Sequence, residues 1–174
     1  MIALLIQAGV FKGLRIQTGD VRHLRPTTSR IRESIFNMVP NVSEAKVLDL
    51  YAGCGTLGFE ALSRGASSVM FVDHDRRAIE IIELNGKLFR GHDVEVARMD
   101  SFEYLSRSDE NFDLIFADPP YGEVNLPVLK TSAWTHLIGG GFLIIESAFR
   151  DGWRDGHATI KRYGDTQVSL FKKE

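Results

Sequence analysis

From Lys46 onward the chain alternates short apolar runs with amphipathic runs of about ten residues, a rhythm that few folds can accommodate. "KVLDLY" reads as a strand, "TLGFEALSRG" as a helix ended by Gly65, and "SSVMFVD" as a strand. "DRRAIEIIELNGKLF" reads as a helix with a glycine inside, "DVEVARM" as a strand and "SFEYLSR" as a short helix. "FDLIFA", "LPVLKTSAWTHL" and "GGGFLIIES" continue as strand, helix and strand. Strands separated by helices run parallel, and their apolar character predicts an α/β sheet covered on both faces. The end, "HATIKRYGDTQVSLFKK", reads as two strands joined at "YGDT", which adds an antiparallel C-terminal edge hairpin.

The chain before this pattern is different in kind. Met1 to Val10 is apolar and reads as a strand; it has no basic leader and is too short to span a bilayer. "GVFKGLRIQTGD" suggests a short hairpin around Gly13. In "RPTTSRIRESIFNMV", Thr27, Thr28 or Ser29 can cap a helix whose Ile31, Ile35, Phe36 and Val39 share one face, and Pro40 closes it. A total of 174 residues suits one domain with a short appendage. The expected division is an N-terminal extension over 1–42 and a catalytic domain over 43–174. One cysteine excludes an intrachain disulfide framework and favours a reducing, cytoplasmic setting. The five histidines stand at no metal-ligand spacing with Cys54, so no metal site is expected. Net charge is only −2, but residues 1–32 carry Lys12, Arg15, Arg22, Arg25, Arg30 and Arg32 against Asp20 alone. A basic end on a near-neutral body can bind phosphate locally, or be a solvated surface.

"LDLYAGCGTLGFEAL" places Gly53-x-Gly55-x-x-Gly58 between a strand and a helix. Glycines there let the backbone approach an adenosine-containing cofactor, and Asp73, at the end of the next strand, can accept from ribose hydroxyls. NAD and S-adenosylmethionine both satisfy that much. Asp49, four residues before Gly53, favours S-adenosylmethionine, because a carboxylate there can pair with an ammonium but gains nothing beside a pyrophosphate. Asp100 ends the third strand of the series, where it can accept from an adenine amine. Asp75 reads as a helix N-cap, and Cys54, inside the glycine loop, as packing within the cofactor pocket.

The fourth strand of the series ends in Asp118-Pro119-Pro120-Tyr121. Such a tetrapeptide can simply end a strand. On the same sheet edge as the glycine loop it can also polarise a nucleobase amine. Asp118 and a carbonyl near Pro119 accept from the NH₂ group, the prolines stiffen the turn, and Tyr121 stacks on a flipped base.

Together, "LDLYAGCGTLGFEALSRGA" and DPPY resemble class I S-adenosylmethionine-dependent amino-methyltransferases. "LRPTTSRIRESIFNM" at 24–38 further resembles the bacterial 16S ribosomal RNA guanine-N2 methyltransferases of the RsmD type, as do "GVFKGLRIQ" and "KRYGDTQVSLF". The resemblance implies a Rossmann-like, seven-stranded class I methyltransferase sheet. It also implies methyl transfer from S-adenosylmethionine to a guanine N2 amine in small-subunit ribosomal RNA. Asp49, Gly53, Cys54, Gly55, Asp73 and Asp100 would line the cofactor pocket, and Asp118, Pro119, Pro120 and Tyr121 the target base. Arg25, Thr27, Arg30 and Arg32 would lie over the active edge and meet RNA or order the cofactor pocket. The modest charge implies low affinity for naked RNA, with a small-subunit particle as the better substrate and a monomeric enzyme.

DPPY chemistry equally serves adenine N6 in DNA or RNA, or a glutamine amide. A DNA enzyme commonly needs a target-recognition domain, for which the chain has no room. A non-catalytic RNA-binding module would not need Asp118 or the three cofactor acids. An NAD oxidoreductase is disfavoured by Asp49.

Overall fold

The computed structural model describes residues 3–19 and 28–174. Arg25 and Thr27 lie outside the described residues. Two short strands, β1 (Ala3–Leu5) and β2 (Arg15–Gln17), form an antiparallel pair apart from the main sheet. Helix α1 (Ser29–Met38) follows, then β3 (Lys46–Leu50), α2 (Thr56–Ser63), β4 (Ser68–Asp73), α3 (Arg76–Gly86) and β5 (Asp93–Arg98). The chain continues as α4 (Ser101–Arg107), β6 (Phe112–Ala117), α5 (Leu126–Thr135), β7 (Leu137–Ala148), β8 (Thr159–Tyr163) and β9 (Thr166–Lys172). Among the described residues, no helix is long and apolar enough to cross a membrane.

The main sheet has seven strands in the order β5-β4-β3-β6-β7-β9-β8. The expected parallel arrangement holds from β5 through β7, and β9 alone runs against the rest. The last strand is therefore not the edge: β9 inserts between β7 and β8. The residues explain why. β9 buries Gln167 to Phe171, whereas β8 carries exposed Lys161 and Arg162, which suit a strand with an open side.

Period-two alternation sorts the strand residues between two cores. Val47, Val69, Phe71, Leu114, Phe116 and Ile144 pack on the face covered by α1, α2 and the N-terminal strands. Leu48, Leu50, Val72, Ile115, Leu143 and Ile145 pack on the face covered by α4 and α5. On the first face, Phe36 of α1 meets Phe116 edge-on, with ring centroids 5.6 Å apart.

Of the strand expected from Met1 to Val10, the described residues form only Ala3–Leu5. Beyond Ile6 the chain leaves β-structure because α2 offers stronger partners. Gln7 and Ala8 donate their backbone N–H groups to the two oxygens of Glu60, at 2.8 and 3.0 Å. Val10 donates to the Ser63 carbonyl, and Phe11 to the Ser63 hydroxyl. Gly9 allows this approach: its φ is +82°, and a Cβ there would lie 1.7 Å from the Ser63 oxygen. The N-terminal segment thus covers a helix, α2, that is buried on every side. The glycine expected inside the third helix instead ends it, where Leu88 and Phe89 turn back onto Asn85 and Gly86.

Candidate active site

The carboxyl edge of the sheet collects the candidate residues. Strand register aligns Leu50 with Val72 on one side and with Ala117 on the other. Tyr51, the first residue beyond β3, therefore leaves the sheet between Asp73 at the end of β4 and Asp118 after β6. Along β7, Ile145 lies level with Ala117, which brings Glu146 to the same edge.

The turn after β3 is built for close approach. Tyr51, Gly53 and Gly55 have φ of +57°, +57° and +79°, so alternate residues occupy the left-handed region. Gly55 caps α2 without a side chain, leaving orphan N–H groups at the helix start. Asp49 supplies the missing cap from the neighbouring strand: its Oδ2 accepts from Gly58 N at 2.9 Å. Gly58 also packs tightly, since a Cβ there would lie 2.3 Å from the Phe71 ring. Asp49 is 3% exposed, and burial pushes its carboxyl up to about 8, against the lowering effect of the Gly58 bond. Among the described residues, no cation forms an ion pair with Asp49 to offset that burial. A ligand ammonium would.

Asp73 holds the loop from the other side. Its Oδ2 accepts from Gly53 N, and its Oδ1 from Asp75 N, both at 2.9 Å. Asp100 is exposed and caps α4, its Oδ1 accepting from Phe102 N and Glu103 N. Asp75 caps α3, as its sequence position predicts. Cys54 is buried, 3.0 Å from the Thr56 hydroxyl, and burial raises its thiol pKa.

Past β6, Asp118 and Tyr121 are half-buried, Pro119 is buried and Pro120 exposed. Asp118 N donates to the Leu50 carbonyl at 3.4 Å, tying the turn to β3. The Tyr121 hydroxyl donates to Glu146 Oε1 at 3.0 Å and lies 3.0 Å from Thr166 Oγ1. Burial is the first cause that raises its phenol pKa, and Glu146 and Asp118 add to it. The tyrosine ring is therefore anchored at its far end, a constraint that its expected stacking role did not include.

The N-terminal arginines separate. Arg30 is exposed in the first turn of α1. At the other end of that helix, Val39 and Asn41 line a groove of about 340 Å³ beside Asp113, at the amino edge of the sheet. Arg30 consequently lies toward the carboxyl edge. Arg32 does not meet the expectation of an RNA-facing side chain. It is 1% exposed, with Nε donating to Gln7 Oε1 at 3.0 Å and Nη2 to the Leu5 carbonyl at 2.8 Å, and Nε 3.7 Å from Glu60 Oε2. Burial lowers its pKa, and Glu60 opposes the shift. The cause is helical phase: Arg32 falls among buried Ile31, Ile35 and Phe36 on the inward stripe.

Four residues at or beneath this edge escaped the sequence reading. Tyr51 has its phenol pushed up to about 12 by burial. Glu60 clamps the extension. Asn85, fully buried, exchanges two 2.8 Å bonds with the Gln17 backbone and reaches the Cys54 carbonyl at 3.4 Å. Glu146 anchors Tyr121. Only Glu60, a lone acid in an otherwise apolar helix, left a signal in the sequence.

The family described as Conserved hypothetical protein 95 matches residues 4–172, nearly the whole chain. YlbH of Bacillus subtilis (strain 168), a candidate rRNA methyltransferase, is 36% identical over 95% of this chain and 97% of its own length. Ribosomal RNA small subunit methyltransferase D of Escherichia coli (strain K12) is 30% identical over 84% of this chain and 76% of its own. This chain belongs to the RsmD-type methyltransferase family. The solved structure of YhhF, a candidate methyltransferase from Escherichia coli, superposes with a TM-score of 0.87 and 26% identity, covering 99% of this chain and 98% of that one. The RsmD-type fold expected from the sequence is thus the fold observed.

Proposed function

We propose that this chain transfers a methyl group from S-adenosylmethionine to the exocyclic N2 amine of a guanine in 16S ribosomal RNA. The observation that carries this reading is the placement of Asp118-Pro119-Pro120-Tyr121 beside the glycine loop and the buried, uncompensated Asp49. The RNA class rests on the relatives, whose names specify small-subunit ribosomal RNA.

The residues present fit the cofactor. Gly53 and Gly55 hold the loop in left-handed backbone, Asp49 can take a cation, and Asp73 and Asp100 retain lone pairs for ribose and adenine donors. When bound, S-adenosylmethionine supplies an electrophilic methyl carbon on a sulfonium. The chain's own task is to position and polarise the acceptor. A guanine N2 lone pair is delocalised into the ring, so attack requires the nitrogen to pyramidalise. Asp118 and a carbonyl of the Pro119 region accept its two N–H bonds and favour that geometry. Methylation would leave the amine with a surplus proton, which Asp118 or solvent would accept. Residues 1–42 serve as an extension that walls the cofactor pocket, with Arg30 toward RNA. The substrate is a small-subunit particle, and the enzyme acts as a monomer.

Tritiated methyl transfer into small-subunit particles from cells lacking this protein, followed by nucleoside mapping, tests the reading. Label is expected in N2-methylguanosine; label only in N6-methyladenosine would refute the acceptor. Asp118→Ala is expected to lower turnover by about 10²–10⁴-fold with cofactor affinity retained. Undiminished turnover would remove Asp118 from the reaction.

A further inference from the structure

A second cationic feature stands at the carboxyl edge, far from the N-terminal arginines in sequence. After β7 the chain makes a 3₁₀ turn over Phe149–Asp151. Phe149 is held between two guanidinium groups: Arg162 Cζ lies 3.6 Å from its ring centroid and Arg154 Cζ 4.4 Å. Arg162 also donates to the Gly164 carbonyl at 2.7 Å, and Arg154 to Trp153 O and Gln167 Oε1, both at 2.8 Å. These head groups are fixed in place, yet both residues are exposed, as is Arg150 on the turn. Neither Arg150 nor Arg162 forms an ion pair among the described residues. The local acids are Asp151, Asp155 and Asp165, and Asp155 is already paired with Lys130 at 2.6 Å.

This cluster adjoins the proposed reaction centre. Phe149 N donates to the Asp165 carbonyl at 2.7 Å, next to Thr166, which contacts the Tyr121 hydroxyl. Between the DPPY turn and the Phe149 turn lies a groove of about 480 Å³, with Gly122, Val124 and Pro127 on one wall and Asp151, Gly152 and Trp153 on the other. Gly122 and Gly152 have nothing within 4 Å of a Cβ position, so the walls beside Trp153 are open backbone. Ser34 of α1 contacts Tyr163 at the same corner, and Arg30 lies one helical turn from Ser34. Cations thus flank the edge from both sides.

We propose that the Phe149–Trp153 turn and the end of β8 form an RNA-contacting face that seats a nucleotide neighbouring the target base. Trp153 is half-buried against Phe171 and offers its remaining ring surface for stacking, while the anchored guanidinium of Arg162 and the exposed one of Arg150 engage phosphates. The inference rests on the RNA reading above and extends it to the C-terminal half of the chain. A partly exposed indole beside an anchored and an exposed arginine suits a base and its phosphate.

The test compares wild-type protein with the Arg150→Gln/Arg162→Gln double variant, binding to small-subunit particles from cells lacking the protein across a salt series. Loss of two phosphate contacts is expected to weaken binding and make the log–log salt slope shallower by about 1.5. An unchanged melting temperature would show that the fold survives. Equal affinity and slope would overturn the proposal, as would absence of saturable wild-type binding. Weaker binding with an unchanged slope would also overturn it, pointing to a protein surface of the particle. Methyl transfer on the same particles is scored separately: binding that depends on these arginines without methylation sinks the proposed reaction and leaves this contact standing.

Discussion

Asp49 links burial to ligand binding through a single proton. Its carboxyl is held near pH 8 by burial, while an unfolded chain would release the proton near 3.8. The native state therefore holds more protons than the unfolded state between those values, and this residue's contribution to stability falls as pH rises through that window. Denaturant unfolding of wild type and Asp49→Asn at pH 5 and pH 8 checks the sign: the variant should lose less stability on going to pH 8. An ammonium partner needs the charged carboxylate, so binding of S-adenosylmethionine should release a proton and strengthen as pH approaches 8. Asp49→Asn should bind more weakly and with a flatter pH dependence, measurable by calorimetry in buffers of different ionisation heat. Equal pH dependence in both proteins would remove Asp49 from the ammonium site.

At the scale of elements, the extension and the domain behind it are one packed unit. Glu60, with 0% exposure, accepts from Gln7, Ala8 and Arg64 and faces Arg32, so four residues converge on one carboxylate. Glu60→Gln leaves the Arg32 guanidinium buried without its counter-charge and is expected to cost about 3 kcal/mol. Gly9→Ala meets the Ser63 oxygen and an unfavourable positive φ, for an expected loss of about 2–4 kcal/mol. Chemical denaturation measures both. Hydrogen exchange at Val10 should accelerate in each variant, because its N–H bonds the Ser63 carbonyl. A normal Val10 exchange rate in a destabilised Gly9→Ala would show that the strain lies elsewhere.

For the molecule as a whole, ligand binding should read out as stability. With S-adenosylmethionine at about 100 times its Kd, mass action adds about 2.7 kcal/mol. For a domain of 174 residues that corresponds to a Tm increase of about 5–10 °C. NAD at the same concentration should leave Tm unchanged; a saturable rise with NAD alone would reverse the cofactor assignment. This measurement is independent of the RNA substrate, so it separates the pocket from the reaction built on it.

What the sequence determined by itself was whatever local pattern encodes. Alternating strand and helix periods specified the parallel sheet, and Asp75, with Thr28 as one of three candidates, could be placed at helix starts because capping is a matter of a few neighbouring residues. Gly53, Gly55 and Asp118 were legible because strand ends in such a sheet share one edge. Only the tertiary structure decided which polar groups pair across the chain. Arg32 looked like a surface cation until Glu60, from another helix, enclosed it. Tyr121 looked free until Glu146 and Thr166, on strands that follow it, held its hydroxyl. The β9 insertion and the Phe149 arginine cluster were hidden for the same reason. Hydrophobic period acts over a few residues, whereas a buried charge finds its partner by position in space, which no local spacing records.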